Sequence, residues 1–290
     1  MLGTLERLDQ HRVQVATRSG PVSVIDTGGP GRAALFVHGL GTSSYLWRNV
    51  IGELGGQRRC VAVDLPLHGR TPAAPGQDFS LPALAGFLAG CCDALGLDAV
   101  DLVANDSGGA IAQVFAAGHP DRLHTLTLTD CETQDNLPPR ALRPAVWAAR
   151  LGLVARLGPG LARDPGRARR RFYGGGYQDV TRLPDELVRA WQEPLLGTTA
   201  AARQYQRLFL SLRARDLRAA GPALARLNVP TLIVWGTDDK FFPRRFAYWL
   251  RDTIPGATGV VEIDGARLFF PDERAAELTA ALRRHWDAHP

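Results

Sequence analysis

The chain has 290 residues, 45% of them hydrophobic and 22% charged, a balance that excludes wholesale disorder and supplies enough apolar surface for a real core. One hydrophobic core stops growing near roughly 250–300 residues, so the length fits one large domain or a domain with a sizeable insertion. No apolar run reaches the roughly 18 residues of a membrane span, and the polar stretch from Met1 to Arg12 does not read as a secretion signal.

The formal net charge is +5, and Lys240 is the only lysine among cations that are otherwise all arginine. The excess is densest from Arg150 to Arg171, where Arg156, Arg163, Arg167, Arg169 and Arg170 also fall. No nucleic-acid motif accompanies them, so a solvated face is expected rather than a nucleic-acid site. Cys60, Cys91, Cys92 and Cys131 show neither CxxC pairing nor zinc spacing. Reduced, buried thiols in a cytoplasmic chain are expected, with no metal.

In chain order, strands are expected at His11 to Ala16, Val22 to Asp26, Ala33 to Val37, Cys60 to Asp64, Val100 to Ala104, Thr125 to Thr129, Thr231 to Trp235 and Val260 to Ile263. Helical spacing falls at Tyr45 to Leu54, Leu81 to Leu95, Gly108 to Gly118, Arg244 to Thr253 and Glu273 to Trp286. This alternation predicts an α/β fold with a mostly parallel, doubly covered sheet of eight strands. Between residues 132 and 228 the rhythm breaks into Arg/Leu/Ala segments interrupted by proline and glycine. That stretch reads as a helical insertion between core segments 1–131 and 229–290.

The segment Leu102-Val103-Ala104-Asn105-Asp106-Ser107-Gly108-Gly109 is a buried strand running through a tight turn into a helix. Such a nucleophile elbow needs small residues two before and two after its central residue, because strand and helix approach closely there. Centring Asp106 puts Ala104 and Gly108 at those places, whereas centring Ser107 puts the larger Asn105 at minus two. Asp106 fits better. A helix amino terminus with N–H donors nearby should also keep its carboxyl ionised at neutral pH.

With these residues the chain resembles the α/β-hydrolase superfamily, in particular its aspartate-nucleophile branch of haloalkane and haloacetate dehalogenases and epoxide hydrolases. His38-Gly39-Leu40-Gly41 resembles the oxyanion loop, Asp64-Leu65-Pro66-Leu67-His68-Gly69-Arg70 the DLPGHG turn, and Trp235-Gly236-Thr237-Asp238-Asp239 the turn carrying the triad acid. The resemblance implies an α/β-hydrolase core with a helical cap, Asp106 as catalytic carboxylate, Asp239 as triad acid, and the N–H groups of Leu40 and Ser107 as the oxyanion hole. Asp130, where some dehalogenases place their triad acid, is the best substitute for a missing base, with a loop-capping structural role as the alternative.

The departures concern the reaction. Family members read approximately G-x-G-H-x-x-x-x-E after the last strand, whereas Asp264 to Asp272 puts Leu268 in the histidine position. Leucine neither accepts a proton nor orients water, so an aspartyl ester lacks its usual general base. Ser107 and Leu40 form no halide cradle, and Gly41 replaces the proline of epoxide hydrolases. Three readings follow: atypical, non-hydrolytic chemistry at Asp106 on an apolar small molecule (proton abstraction, cyclisation or elimination); a hydrolase with a relocated base; or a noncatalytic ligand-binding or sensor protein. Expected pocket residues are His38, Tyr45, Trp47, Trp147, Phe172, Tyr173, Tyr177, Trp191, Tyr205 and Phe209. No cofactor, metal, nucleic-acid or membrane partner is expected.

Overall fold

The computed structural model describes residues 5–290. After a short helix α1 (Leu5–Asp9), strands β1 (Arg12–Thr17) and β2 (Gly20–Asp26) form an antiparallel hairpin. Then follow β3 (Ala34–Val37), α2 (Arg48–Leu54), β4 (Cys60–Val63), α3 (Leu81–Ala94), β5 (Val100–Asp106), α4 (Ser107–Gly118) and β6 (Leu123–Cys131). The sheet has eight strands in the order β1-β2-β4-β3-β5-β6-β7-β8, completed by β7 (Thr231–Gly236) and β8 (Ala257–Ile263). Pairing is parallel from β4 through β8, and antiparallel only where β2 meets β1 and β4.

The burial pattern explains why these runs became strands. Every residue of β3, β4 and β5 is buried, the signature of parallel strands covered on both faces. The edge strand β1 is exposed or half-buried throughout instead, and β8 is buried only at its ends. All four cysteines are free and buried, and burial raises the Cys60 thiol to about 12 and the Cys92 thiol to about 11.

Between β6 and β7 the chain forms α5 (Arg143–Arg150), α6 (Leu153–Ala162), α7 (Pro165–Ala168), α8 (Asp185–Leu196), α9 (Thr199–Ser211) and α10 (Ala214–Leu224). Helices α5 to α9 pack on one another, whereas α10 packs against α3 and α4. The stretch 132–228 therefore divides in two, and its last helix adjoins core helices. The chain closes with α11 (Arg245–Thr253), α12 (Phe270–Glu273) and α13 (Ala275–Asp287). The single carboxyl-terminal helix expected from Glu273 is thus broken at Arg274.

Two features fix the carboxyl edge of the sheet. At the end of β4, buried Asp64 accepts from the Arg12 guanidinium at 2.8 Å and from the Ser44 and Arg70 N–H groups at 2.9 and 3.0 Å. At the end of β5 the chain turns sharply into α4. There a methyl group added to Gly108 would lie 2.5 Å from the His38 carbonyl oxygen, and one added to Gly109 would collide with the Cys131 side chain. The small residues of the elbow are therefore a steric condition for bringing α4 against β3 and β6.

Gly108→Ala should consequently destabilise the protein by about 1–3 kcal/mol, read as a lower urea midpoint with an unchanged denaturant slope.

Candidate active site

Asp106 occupies the bend with φ 55° and ψ −136°, a conformation costly for a residue with a side chain. It persists because the neighbours over-determine it. The Asp106 side chain lies directly over Gly39, where any Cβ would overlap it. Ser107 opens α4 and is buried, and its hydroxyl accepts the Leu40 N–H at 2.9 Å. The residue presented to the cavity is accordingly Asp106, not Ser107.

That cavity encloses about 830 Å³ beneath α5, α6, α8 and α9. Asp106, Glu132, Leu40 and Leu268 lie on its wall, as do Phe172, Tyr173, Tyr205 and Phe209. Leu268 thus shares a cavity with Asp106, while its carbonyl accepts from Asn105 Nδ2 at 3.1 Å. None of the histidines lines the cavity among the described residues.

Six expected wall residues lie elsewhere. His38 is sealed under the loop after β3: its Nε2 accepts the Leu65 N–H at 3.0 Å, its Nδ1 contacts the Gly39 carbonyl at 2.8 Å, and burial lowers its pKa to about 4. Tyr45 is drawn away by donating to Asp9 at 2.8 Å, and Trp47 packs on Phe36 in the core. Trp147 is 62% exposed on α5. The Tyr177 hydroxyl donates to Asp272 at 2.9 Å, and Trp191 stacks behind Tyr173 and Phe269. In each case the side chain has found another partner or another layer.

The carboxyls form a buried group. Burial, then the charge of Asp239, raises Asp106 to about 8, against the opposing pull of the Ser107 and Leu40 N–H groups. The expectation that Asp106 stays fully ionised at neutral pH is therefore corrected: desolvation outweighs the helix-terminus donors. Asp239 sits in a turn whose Phe241 and Phe242 N–H groups both donate to its Oδ1 at 2.6 Å, and burial lifts its pKa to about 6. Asp130, φ 23°, accepts from the Gly236 N–H at 2.9 Å and is raised by burial and by Asp239. Asp130 is fully buried and absent from the cavity wall, so it has no access to a substrate there.

Sequence reasoning missed Glu132. It is buried on the cavity wall, raised well above its ordinary range by burial and then by Asp106, and its Oε2 has no hydrogen-bond partner among the described residues. Its place just beyond β6, where ligands meet open α/β sheets, was the available signal. Tyr205 joins it, since its hydroxyl lies close to Gly41 and the charge of Asp106 acts on it. Tyr173 instead donates to the Gly41 carbonyl at 2.7 Å and is engaged by Gln192.

A family model described as alpha/beta hydrolase fold matches residues 34–274. The chain belongs to the alpha/beta hydrolase fold family. One relative of this alpha/beta hydrolase is the 2-hydroxy-6-oxononadienedioate/2-hydroxy-6-oxononatrienedioate hydrolase of Cupriavidus pinatubonensis, 26% identical over 80% of this chain and 79% of that protein. A haloalkane dehalogenase of Mesorhizobium japonicum is 36% identical over 39% of this chain and 36% of its own length. Among solved structures, a haloalkane dehalogenase from Bradyrhizobium elkani superposes with a TM-score of 0.78 at 22% identity, covering 96% of this chain and 97% of that one. A thermophilic esterase from Thermogutta terrifontis gives 0.74 at 25% identity, covering 96% and 99%.

A raised carboxyl also sets a pH dependence of stability. Because the folded-state pKa of Asp106 is about 8 against an ordinary 3.8, its contribution is fully present below the unfolded value and is lost as pH rises through the folded one. Asp106→Asn, which carries no charge, should melt at least about 2–4 °C above the wild type at pH 9, with the gap closing toward pH 4. Scanning calorimetry across that range measures it.

Proposed function

We propose that the protein is an enzyme of the α/β-hydrolase fold that uses the Asp106 carboxylate as a general base on an apolar small molecule. The reaction removes a proton from carbon, in an elimination or cyclisation, and Tyr205 and the Glu132 carboxyl, raised by burial, supply protons where charge develops. The observation that carries this reading is Leu268 on the wall of the Asp106 cavity. With no imidazole there, an ester at Asp106 has no ordinary route to release. A carboxylate with a pKa near 8 is a stronger base than a solvated one. The Leu40 and Ser107 N–H groups lie beside the same carboxylate and steady negative charge formed next to it.

A second reading is hydrolysis with Glu132 in place of the histidine. Its support is the unpartnered Glu132 Oε2 on the same wall as Asp106, together with relatives named as a hydrolase and a dehalogenase. The noncatalytic reading, a binding or sensor protein, predicts ligand binding with no turnover at all.

The base-promoted ring opening of 5-nitrobenzisoxazole separates these, since it needs only a positioned base and gives a coloured phenolate. Catalysis should rise with pH to a plateau with a midpoint near 8, because only the ionised carboxyl accepts the proton. Asp106→Asn should lower it by at least about 100-fold, and a rate that does not depend on Asp106 overturns the reading. Intact mass measurement after exposure to 1-bromobutane tests the alternative. Wild-type turnover of the haloalkane supports hydrolysis through Glu132, whereas an adduct released only in Leu268→His shows that the wild type lacks a water-activating base.

A further inference from the structure

A second cavity of about 500 Å³ adjoins the first, and Leu40, Glu132, Leu142 and Phe209 line both. Its floor is apolar, with Leu137, Val146 and Leu212 contributing. Its rim carries four exposed arginines, Arg150 from α5 and Arg213, Arg215 and Arg218 at the start of α10. Arg215 faces Asp216 at 3.6 Å, and Arg150 stacks on Trp147. The side chains of Arg213 and Arg218 make no hydrogen bond or ion pair among the described residues. Among the described residues the only acid lining this cavity is Glu132, at the seam with the Asp106 cavity, and its Oε2 has no partner there.

Four guanidiniums around one groove, two of them unpaired, repel one another unless an anion or solvent ions neutralise them. Planar guanidinium forks match phosphate and carboxylate oxygens two at a time. The groove does not end at the surface but shares its inner wall with the apolar cavity. We propose that the arginine-rimmed groove binds a phosphate-type anionic group of the substrate, so that the substrate class is an apolar group carried on an anionic handle. The apolar part extends past Leu40, Glu132 and Phe209 toward Asp106, and the handle stays at Arg213 and Arg218. This deepens the reading of the Asp106 cavity as the substrate site and rests on it. It also converts part of the chain's basic excess from a solvated face into a recognition surface.

The test compares binding of octyl phosphate, below its micelle concentration, with that of octanol by calorimetry, and so does not depend on turnover. Octyl phosphate should bind at least about tenfold more tightly at low ionic strength, and added salt should erode the difference. Arg213→Ala/Arg218→Ala should reduce the preference to less than about threefold. Arg167→Ala/Arg182→Ala, at exposed ion pairs with Asp164 and Asp179, should leave it intact. Equal affinity of the two ligands in the wild type overturns the proposal. So does a preference that survives the double substitution; its loss in Lys240→Met or Arg171→Met then assigns the anion to a cation on the wall of the first cavity. Failure of the general-base reading shows instead in the uncharged benzisoxazole assay, so the two failures are distinguishable.

Discussion

The contact on which the rest of this molecule depends is the overlap of the Asp106 side chain with the space that a Cβ at Gly39 would occupy. It brings the loop after β3, the bend after β5 and the start of α4 into one layer, with Gly108 admitting the His38 carbonyl from below. The positive φ at Asp106 costs on the order of 1–3 kcal/mol, and it is retained because three chain segments are packed around it. The same packing removes Asp106 from water. The geometry of the turn and the raised pKa are therefore one fact seen from two sides: the backbone that presents the carboxyl is the backbone that dries it.

A dry carboxyl is held beside others. Asp106, Asp130, Glu132 and Asp239 are all raised by burial, and the charge of one pushes on the next. Asp239 is the least raised of them because two backbone N–H groups converge on its Oδ1. In such a group protons are shared among the acids, and apparent titrations belong to the cluster rather than to one member. An imidazole in the place of Leu268 would answer part of that charge. A leucine leaves the acids to be neutralised by protons, which is why the chemistry argued for this site is proton transfer.

Much of this was legible in the sequence. The buried parallel strands announce themselves as apolar runs, and the Ala104/Gly108 pair decided between Asp106 and Ser107 because the steric demand of an elbow is local. Leu268, one position in a short loop after β8, does reach the wall of the Asp106 cavity. The cavity wall was not legible. Aromatic residues signal burial without saying against what, so Tyr45 and Trp47 went to the core while Tyr205 and Phe209 went to the cavity. Glu132 was missed because a single acid after a strand has no pattern, and its importance arises only when α9 and the loop after β3 close around it.

The four cysteines offer a consequence of a different kind. None is exposed and none is bonded, and their thiols are held well above ordinary values by their surroundings. Cys131 lies against Gly109 on the first turn of the helix behind Asp106. Alkylation can then proceed only through excursions in which the chain lets water reach the sulfur. The protein carries an internal clock: the rate at which each thiol is trapped reports how often its own neighbourhood breathes, and Cys131 times the breathing of the bend itself.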